Sequence, residues 1–359
     1  MECVLGHYAE ATALLTSELD ALDGVASPDV PKLIVRYGFI GLLSGSFPSR
    51  ERIELAVRLA AEQGDQPTRV AVTALNALHL TVAGKFDEVK ALLDEASGVV
   101  DALPDAAFTL HPEYFSLLGW AEGLVGRYSD AERHLNRGMT ICQDSGHVFV
   151  LPLLLAGLSN MRVQIGQLAD ARRAARQARE VAQQINASDL ANLALALEAL
   201  SLMWLDRHQA RSAMDMAERA AAALPPGTDW ACLSTAYILA MGARLNDDPQ
   251  RSRTLILDVG RGSDLPSLLS TMRPMYFEML CDASVALGKI DQASEWAQQA
   301  IRCATRPDMP HQRAYALAAV AHVQRARGEF SAAMRSFDSG FSRRLWERDW
   351  KDYGRGVVT

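Results

Sequence analysis

The sequence predicts an all-α chain, a right-handed α-solenoid of helical hairpins with a period of about 40 residues. Two observations carry that expectation. A six-residue phrase returns at near-constant spacing, and the stretches flanking each copy place apolar and small residues at helical intervals. The clear copies are Gly84-Lys85-Phe86-Asp87-Glu88-Val89, Gly126-Arg127-Tyr128-Ser129-Asp130-Ala131, Gly166-Gln167-Leu168-Ala169-Asp170-Ala171, Gly288-Lys289-Ile290-Asp291-Gln292-Ala293 and Gly328-Glu329-Phe330-Ser331-Ala332-Ala333. Weaker copies, His208-Gln209-Ala210-Arg211-Ser212-Ala213 and Asp247-Asp248-Pro249-Gln250-Arg251-Ser252, fall where a strict repeat requires them. The final residues lie at 89, 131, 171, 213, 252, 293 and 333, in steps of 42, 40, 42, 39, 41 and 40.

From the N-terminus, His7 to Leu22 reads as a leading helix. Pro31 to Ser44 and Pro48 to Gln63 read as a hairpin joined at Gly45-Ser46-Phe47, with the spacing of small residues slipped by one. The Gly126 unit shows the regular design: Phe115, Leu118, Gly119 and Glu122 recur at helical spacing before the turn, and Ala131, Leu135 and Gly138 share a face after it. Gly126 supplies the left-handed residue that ends the first helix. Tyr128 is expected to turn into the hairpin core, and Ser129 or Asp130 to cap the second helix. The small residues let that helix approach its neighbour closely, and the rule repeats as Ala171, Ala175 and Ala178, as Ala213, Ala217 and Ala220, and as Ala293, Ala297 and Ala300. Any departure from regular curvature is expected around the weak copies at His208 and Asp247.

The expected organisation is one solenoid over residues 1–341, with irregular hairpins over 1–64 and regular repeats over 65–341. Residues 342–359 form a tail or capping helix. In that tail Trp346, Trp350 and Tyr353 recur at helical spacing among charges that nearly cancel, which fits packing on a core or a partner better than a nucleic-acid contact.

Leu118-Gly119, Ala131, Leu135 and Gly138, with Pro225 where a closing proline belongs, resemble the tetratricopeptide repeat. The period exceeds that repeat's usual 34 residues. Pro225-Pro226-Gly227 and the loop around Gly260, Gly262 and Pro266 absorb part of the excess. In such repeats the first helix of each unit lines the concave side. The resemblance therefore implies that Trp120, Asn160, Glu198, Tyr237, Arg244, Glu278, Asp282, Tyr315, His322 and Arg325 face the groove. That mix of aromatic and polar groups suits a small polar effector or an extended protein segment; an ordinary solvated groove is the alternative. Repeats that grip a C-terminal carboxylate use a recurring Lys and Asn set, of which Asn160 is the only clear match here, so that binding mode is not expected.

Composition narrows the partners further. A formal charge of -7 has the wrong sign for a nucleic-acid surface. Cys3, Cys142, Cys232, Cys281 and Cys303 lack the close spacing of a zinc site, and most read as buried apolar residues in a reducing compartment. No signal peptide opens the chain, and the apolar run Val148 to Leu158 is too short to span a bilayer, so a cytoplasmic location with no membrane contact is expected. Gly84-Lys85 and Gly288-Lys289 lack the glycine and hydroxyl of a phosphate loop, Gly260-Arg261-Gly262 lacks a third glycine, and no nucleophile elbow or metal-binding His motif occurs. Neither catalysis, nor a cofactor, nor a metal is expected. Arg172, Arg173, Arg176 and Arg179 read as a solvated helix face.

The runs Gly126 to Leu135, Phe149 to Leu158 and Leu287 to Ala293 resemble the helical-repeat region of large ATP-binding LuxR-family transcriptional regulators of actinobacteria, relatives of the maltose-regulator-like activators. The likeness covers roughly residues 60 to 340. It implies an effector-sensing and self-associating module, here without the nucleotide-binding and DNA-binding domains and thus a segment of a regulator. A free-standing scaffold that binds peptide segments of partner proteins is the alternative.

Overall fold

The computed structural model describes residues 7–22, 27–223, 230–304 and 309–340. The 342–359 tail and the Pro225-Pro226-Gly227 connection lie outside them. Among the described residues there are 17 α-helices and no strand. The leading helix α1 (Tyr8–Ala21) is followed by eight hairpins: α2 (Asp29–Ser44) with α3 (Arg50–Gln63), α4 (Gln66–Val82) with α5 (Phe86–Ala102), α6 (Tyr114–Leu124) with α7 (Tyr128–Ser145), and α8 (Leu151–Gln164) with α9 (Leu168–Gln184). Then come α10 (Ser188–Leu205) with α11 (Ala210–Ala223), α12 (Trp230–Leu245) with α13 (Pro249–Gly260), α14 (Arg273–Ala286) with α15 (Ile290–Cys303), and α16 (Pro310–Ala326) with α17 (Phe330–Gly340). Each packs on the next, giving the right-handed tetratricopeptide-like solenoid.

The recurring phrase is a helix stop of one design. Gly84, Gly126, Gly166, Gly288 and Gly328 all take positive φ, between 72° and 82°. The next residue's N–H donates back to a carbonyl five residues earlier: Lys85 to Leu80 at 2.9 Å, Arg127 to Glu122 at 2.9 Å, Gln167 to Arg162 at 2.8 Å, Lys289 to Ser284 at 2.9 Å and Glu329 to Gln324 at 2.8 Å. The weak copy at Asp247 keeps this turn. Asp247 itself adopts the left-handed conformation (φ 60°), and Asp248 N–H reaches Ala243 O at 2.9 Å. The copy at His208 does not: Asp206 accepts from His208 N–H, and a short 3-10 turn, Arg207–Gln209, replaces the glycine stop. Of the two weak copies, only the one at His208 therefore departs from the common turn.

Capping follows a different rule from the expected one. No side chain caps α7; Arg127 holds the N-cap position, and Asp130 instead accepts from the Arg127 guanidinium at 3.1 Å.

The small residues do what their spacing predicts. Ala131, Ala171, Ala175, Ala178, Ala213, Ala217, Ala220, Ala293 and Ala300 are fully covered. A Cβ added at Gly138 would lie 2.5 Å from the Phe115 Cβ, and one at Gly119 would lie 2.5 Å from Leu135 Cγ. Glycine at these sites sets how closely α6 and α7 approach.

Close approach compounds along the array until distant hairpins meet. Helix α2 packs against α12 as well as against α4 and α6. Tyr128, expected in its own hairpin core, presents its ring edge to His311 on α16, with centroids 5.6 Å apart. Gly126 sits beneath the same imidazole, so that any Cβ there would strike it. The superhelix thus closes on itself.

Gly126→Ala and Gly288→Ala both force alanine into a left-handed conformation, at about 1–2 kcal/mol. Only the Gly126 change also meets a neighbour, since nothing lies within 4 Å of a Cβ at Gly288. Urea unfolding is expected to show Gly126→Ala less stable than Gly288→Ala by about 1 kcal/mol or more. Equal midpoints would mean that the α6–α7 turn and α16 do not touch.

Candidate functional site

Helices α12, α14 and α16, the first helices of the last three hairpins, bring five of the expected groove residues together. Arg244 Nε lies 2.6 Å from Asp282 Oδ2, and its Nη2 donates to Asp282 Oδ1 at 3.4 Å. His322 Nε2 is 2.8 Å from Glu278 Oε1, and its Nδ1 is 3.5 Å from Asp282 Oδ1. Arg325, one turn beyond His322, acts electrostatically on both Asp282 and His322. The spacing explains the grouping: Glu278 with Asp282, and His322 with Arg325, are four and three residues apart and share helix faces.

The acids and the imidazole are largely withdrawn from water, His322 at 3 % side-chain exposure and Asp282 at 12 %, while Arg244 and Arg325 stay half-buried. Burial alone would lower the His322 pKa, but Asp282 and the hydrogen bond to Glu278 outweigh it and hold the imidazole above its ordinary value. Burial likewise pushes Asp282 up, and the charges of His322 and Arg244 bring it below the usual carboxylate range. With the imidazole protonated, the network sets three cations against two anions.

Tyr237 and Tyr315 stand beside it. They line, with Trp204 and Met275, a cavity of about 30 Å³, which is room for roughly one or two waters. The Tyr237 ring meets Tyr276 edge-on at 5.3 Å. Burial raises the Tyr315 hydroxyl, with a further push from Glu278.

The three remaining expected residues lie elsewhere. Trp120, on α6, is 4 % exposed and lines a separate cavity against α12 and the loop before α14. Asn160 is half-buried on α8 and borders neither cavity. Glu198, on α10, is buried under α9. Its Oε1 accepts from Arg176 Nε and Nη2 at 3.1 and 3.0 Å, and its Oε2 from Arg179 Nε and Nη2 at 3.2 and 3.0 Å, with Arg172 Nε 3.9 Å away. The arginine row is therefore not a plain solvated face; three of its four members neutralise one buried carboxylate.

A second buried network escaped the sequence reading. Glu122 accepts from Ser97 Oγ at 2.8 Å and pairs with His134 Nδ1 at 2.8 Å, all three buried. The serine bonds to the acid rather than to the imidazole, so this is not the order of a nucleophilic triad. An acid inside the otherwise apolar stretch Tyr114–Leu124 was the available signal. Cys142 and Cys281 are buried, as expected of apolar cysteines, and burial pushes the Cys142 thiol up to about 12. Among the described residues no group of three or more His, Cys, Asp or Glu is placed to hold a metal ion.

Fold and site together define a tetratricopeptide-like repeat protein with an ionic cluster on the first helices of its last three hairpins. No family model matches the chain, and no curated protein does. Solved structures are similar in fold. One is a Rap protein complexed with Competence and Sporulation Factor, 13 % identical, with a TM-score of 0.62, covering 97 % of this chain and 91 % of that one. Another is the Rap conjugation gene regulator of the plasmid pLS20 in complex with the Phr* peptide, 12 % identical, with a TM-score of 0.58, covering 92 % of this chain and 94 % of that one.

Two histidines give opposite pH signatures. The raised pKa of His322 contributes stability that is full below its unfolded value of about 6.5 and is lost as pH rises through its folded value. His311, whose pKa burial lowers to about 4, contributes stability that is full above about 6.5 and is lost as pH falls toward about 4. Melting temperatures are expected to fall on both sides of pH 6.5. His322→Gln flattens the alkaline limb and His311→Gln the acid limb; unchanged slopes in the variants would contradict these assignments.

Proposed function

We propose that the chain is an effector-sensing and protein-interaction module of a LuxR-type transcriptional regulator. It takes a peptide segment or small polar effector on the inner face of α12, α14 and α16. The observation that carries this reading is the convergence of Arg244, Glu278, Asp282, His322 and Arg325, with Tyr315 close enough to Glu278 to feel its charge and sharing a small cavity with Tyr237. Charges of both signs orient a ligand's polar groups, and tyrosines supply contact area at low entropic cost. Neither the ionic cluster nor the Ser97–Glu122–His134 network pairs a nucleophile with a base, so the module binds rather than catalyses. No cofactor, membrane or nucleic acid enters this reading, and the module works in the cytoplasm. The LuxR assignment rests on the resemblance of the repeat phrases.

The second reading is a free-standing scaffold for peptide segments of partner proteins. It is favoured by the likeness of the whole chain to two Rap structures, one holding the Phr* peptide and one holding Competence and Sporulation Factor. Reading the genomic DNA beside the coding segment separates the two. In-frame nucleotide-binding and helix-turn-helix sequences support the regulator, and their absence on both sides supports the scaffold. Self-association through the last hairpin belongs to either reading, since Phe330 and Met334 are exposed on α17; a monomeric mass by light scattering would remove it.

For the site itself, short peptides selected from a display library against the purified chain should bind measurably by calorimetry. Tyr237→Ala combined with Arg325→Ala is expected to weaken them tenfold or more while the protein stays folded by circular dichroism. Unchanged affinity in that folded double variant would place the site elsewhere.

A further inference from the structure

A second, partly open cavity lies where the array closes on itself. It has a volume of about 240 Å³. Leu42, Leu78 and Trp120 from α2, α4 and α6 form one wall, and Leu233 of α12 with Met272 of the following loop form the other. No Asp, Glu, Lys or Arg lines it. Its hydrogen-bonding side chains are few: the His79 imidazole and the Ser267 hydroxyl, with the indole of Trp120.

The loop that supplies the second wall is held against its preference. Leu265 is fully buried yet adopts a left-handed φ of 49°, whereas the φ of 58° at Arg261 is the left-handed cap that ends α13. Leu265 lacks glycine's freedom to adopt that conformation, and such backbone outliers concentrate at ligand clamps and switch segments. Leu265 is pinned over Gly260, which has no side chain to obstruct it.

We propose that this cavity binds a small amphipathic molecule with a body about the size of two fused aromatic rings and one hydrogen-bonding head, and that the molecule clamps the two arms of the superhelix together. The volume sets the body, because an apolar cavity of about 150 Å³ accommodates benzene and this one is larger. The absence of charge on the wall excludes an ionic body, and His79 and Ser267 mark where the head lies. A peptide segment fits less well. Its backbone amides would meet a wall with too few partners, at the cost of unpaired buried polar groups. Water filling the space is poorly bonded for the same reason, so an apolar body displaces it favourably. Because the walls come from hairpins far apart in sequence, a ligand held between them binds the closed array and not an opened one, and so shifts the population toward closure. This site is separate from the ionic cluster on α12, α14 and α16.

The probe is 2-naphthol, titrated into the full chain by calorimetry and by thermal shift. Saturable binding at one site per chain and a raised melting temperature are expected. Val82 lies on the rim and is 57 % exposed, so Val82→Trp blocks entry without disturbing the core. It is expected to weaken 2-naphthol at least tenfold with an unchanged ligand-free melting temperature. Val148→Trp, at a comparably exposed residue away from the cavity, and Arg325→Ala, in the ionic cluster, are expected to leave the affinity within twofold. Absence of saturable heat in the wild type, or equal affinity in Val82→Trp, would overturn the proposal. So would an equal loss in the two control variants, which would trace binding to general destabilisation. Peptide affinity that falls in the ionic-cluster variants while 2-naphthol affinity holds separates this site from the one proposed above.

Discussion

Everything in this molecule depends on how closely the two helices of a hairpin can lie. A lone hairpin cannot bury its apolar faces, so stability comes from stacking, and stacking distance is set by the residues at the crossing points. Gly119 admits Leu135, and Gly138 admits Phe115. The fully covered alanines of α9, α11 and α15 repeat the arrangement. Repeated along eight hairpins, that closeness winds the array until α2 reaches α12 and the α6–α7 turn reaches α16. The interior of the superhelix is consequently tight. Two of the volumes it leaves among the described residues are about 240 and 30 Å³.

A tight interior makes buried charge expensive unless it is paired. Each buried acid accordingly recruits a partner from another helix. Glu122 takes His134, Glu198 takes Arg176 and Arg179, and Glu278 and Asp282 take His322 and Arg244. The first two pairings join a first helix to a second helix and are part of the stack. The third differs, because its members sit on three successive first helices and one of them, Glu278, acts on Tyr315 at the edge of a cavity. That placement distinguishes a candidate recognition surface from structural neutralisation.

The helices and turns were legible because they depend on local chemistry. A glycine stop followed by a helical run of small and large residues is a nearest-neighbour signal, and it located the hairpins down to the worn one at Gly45. Even Asp247 in the weak copy betrays its role, as a residue type that tolerates positive φ. Capping at Ser129 or Asp130 was misjudged because Arg127 competes for the acid that a cap would use. Contacts between distant units were not legible at all. Nothing near Tyr128 announces His311, and nothing near Trp120 announces Leu233 and Met272. Helix phase placed residues on the inner side, but only the pitch of the superhelix decides which of them meet. Glu198 shows the limit: its phase suggested a groove, and the arginines one helix earlier claimed it.

Closure of the array is the claim on which the inner surfaces rest, and the Tyr128–His311 contact reads it most directly. A double-mutant cycle with Tyr128→Ala and His311→Ala, unfolded in urea at pH 7 where the His311 ring is neutral, isolates the pairwise energy. The closed superhelix predicts a coupling of about 0.5–1.5 kcal/mol. Strict additivity of the two single changes would show that these hairpins are apart in solution, and would contradict the account.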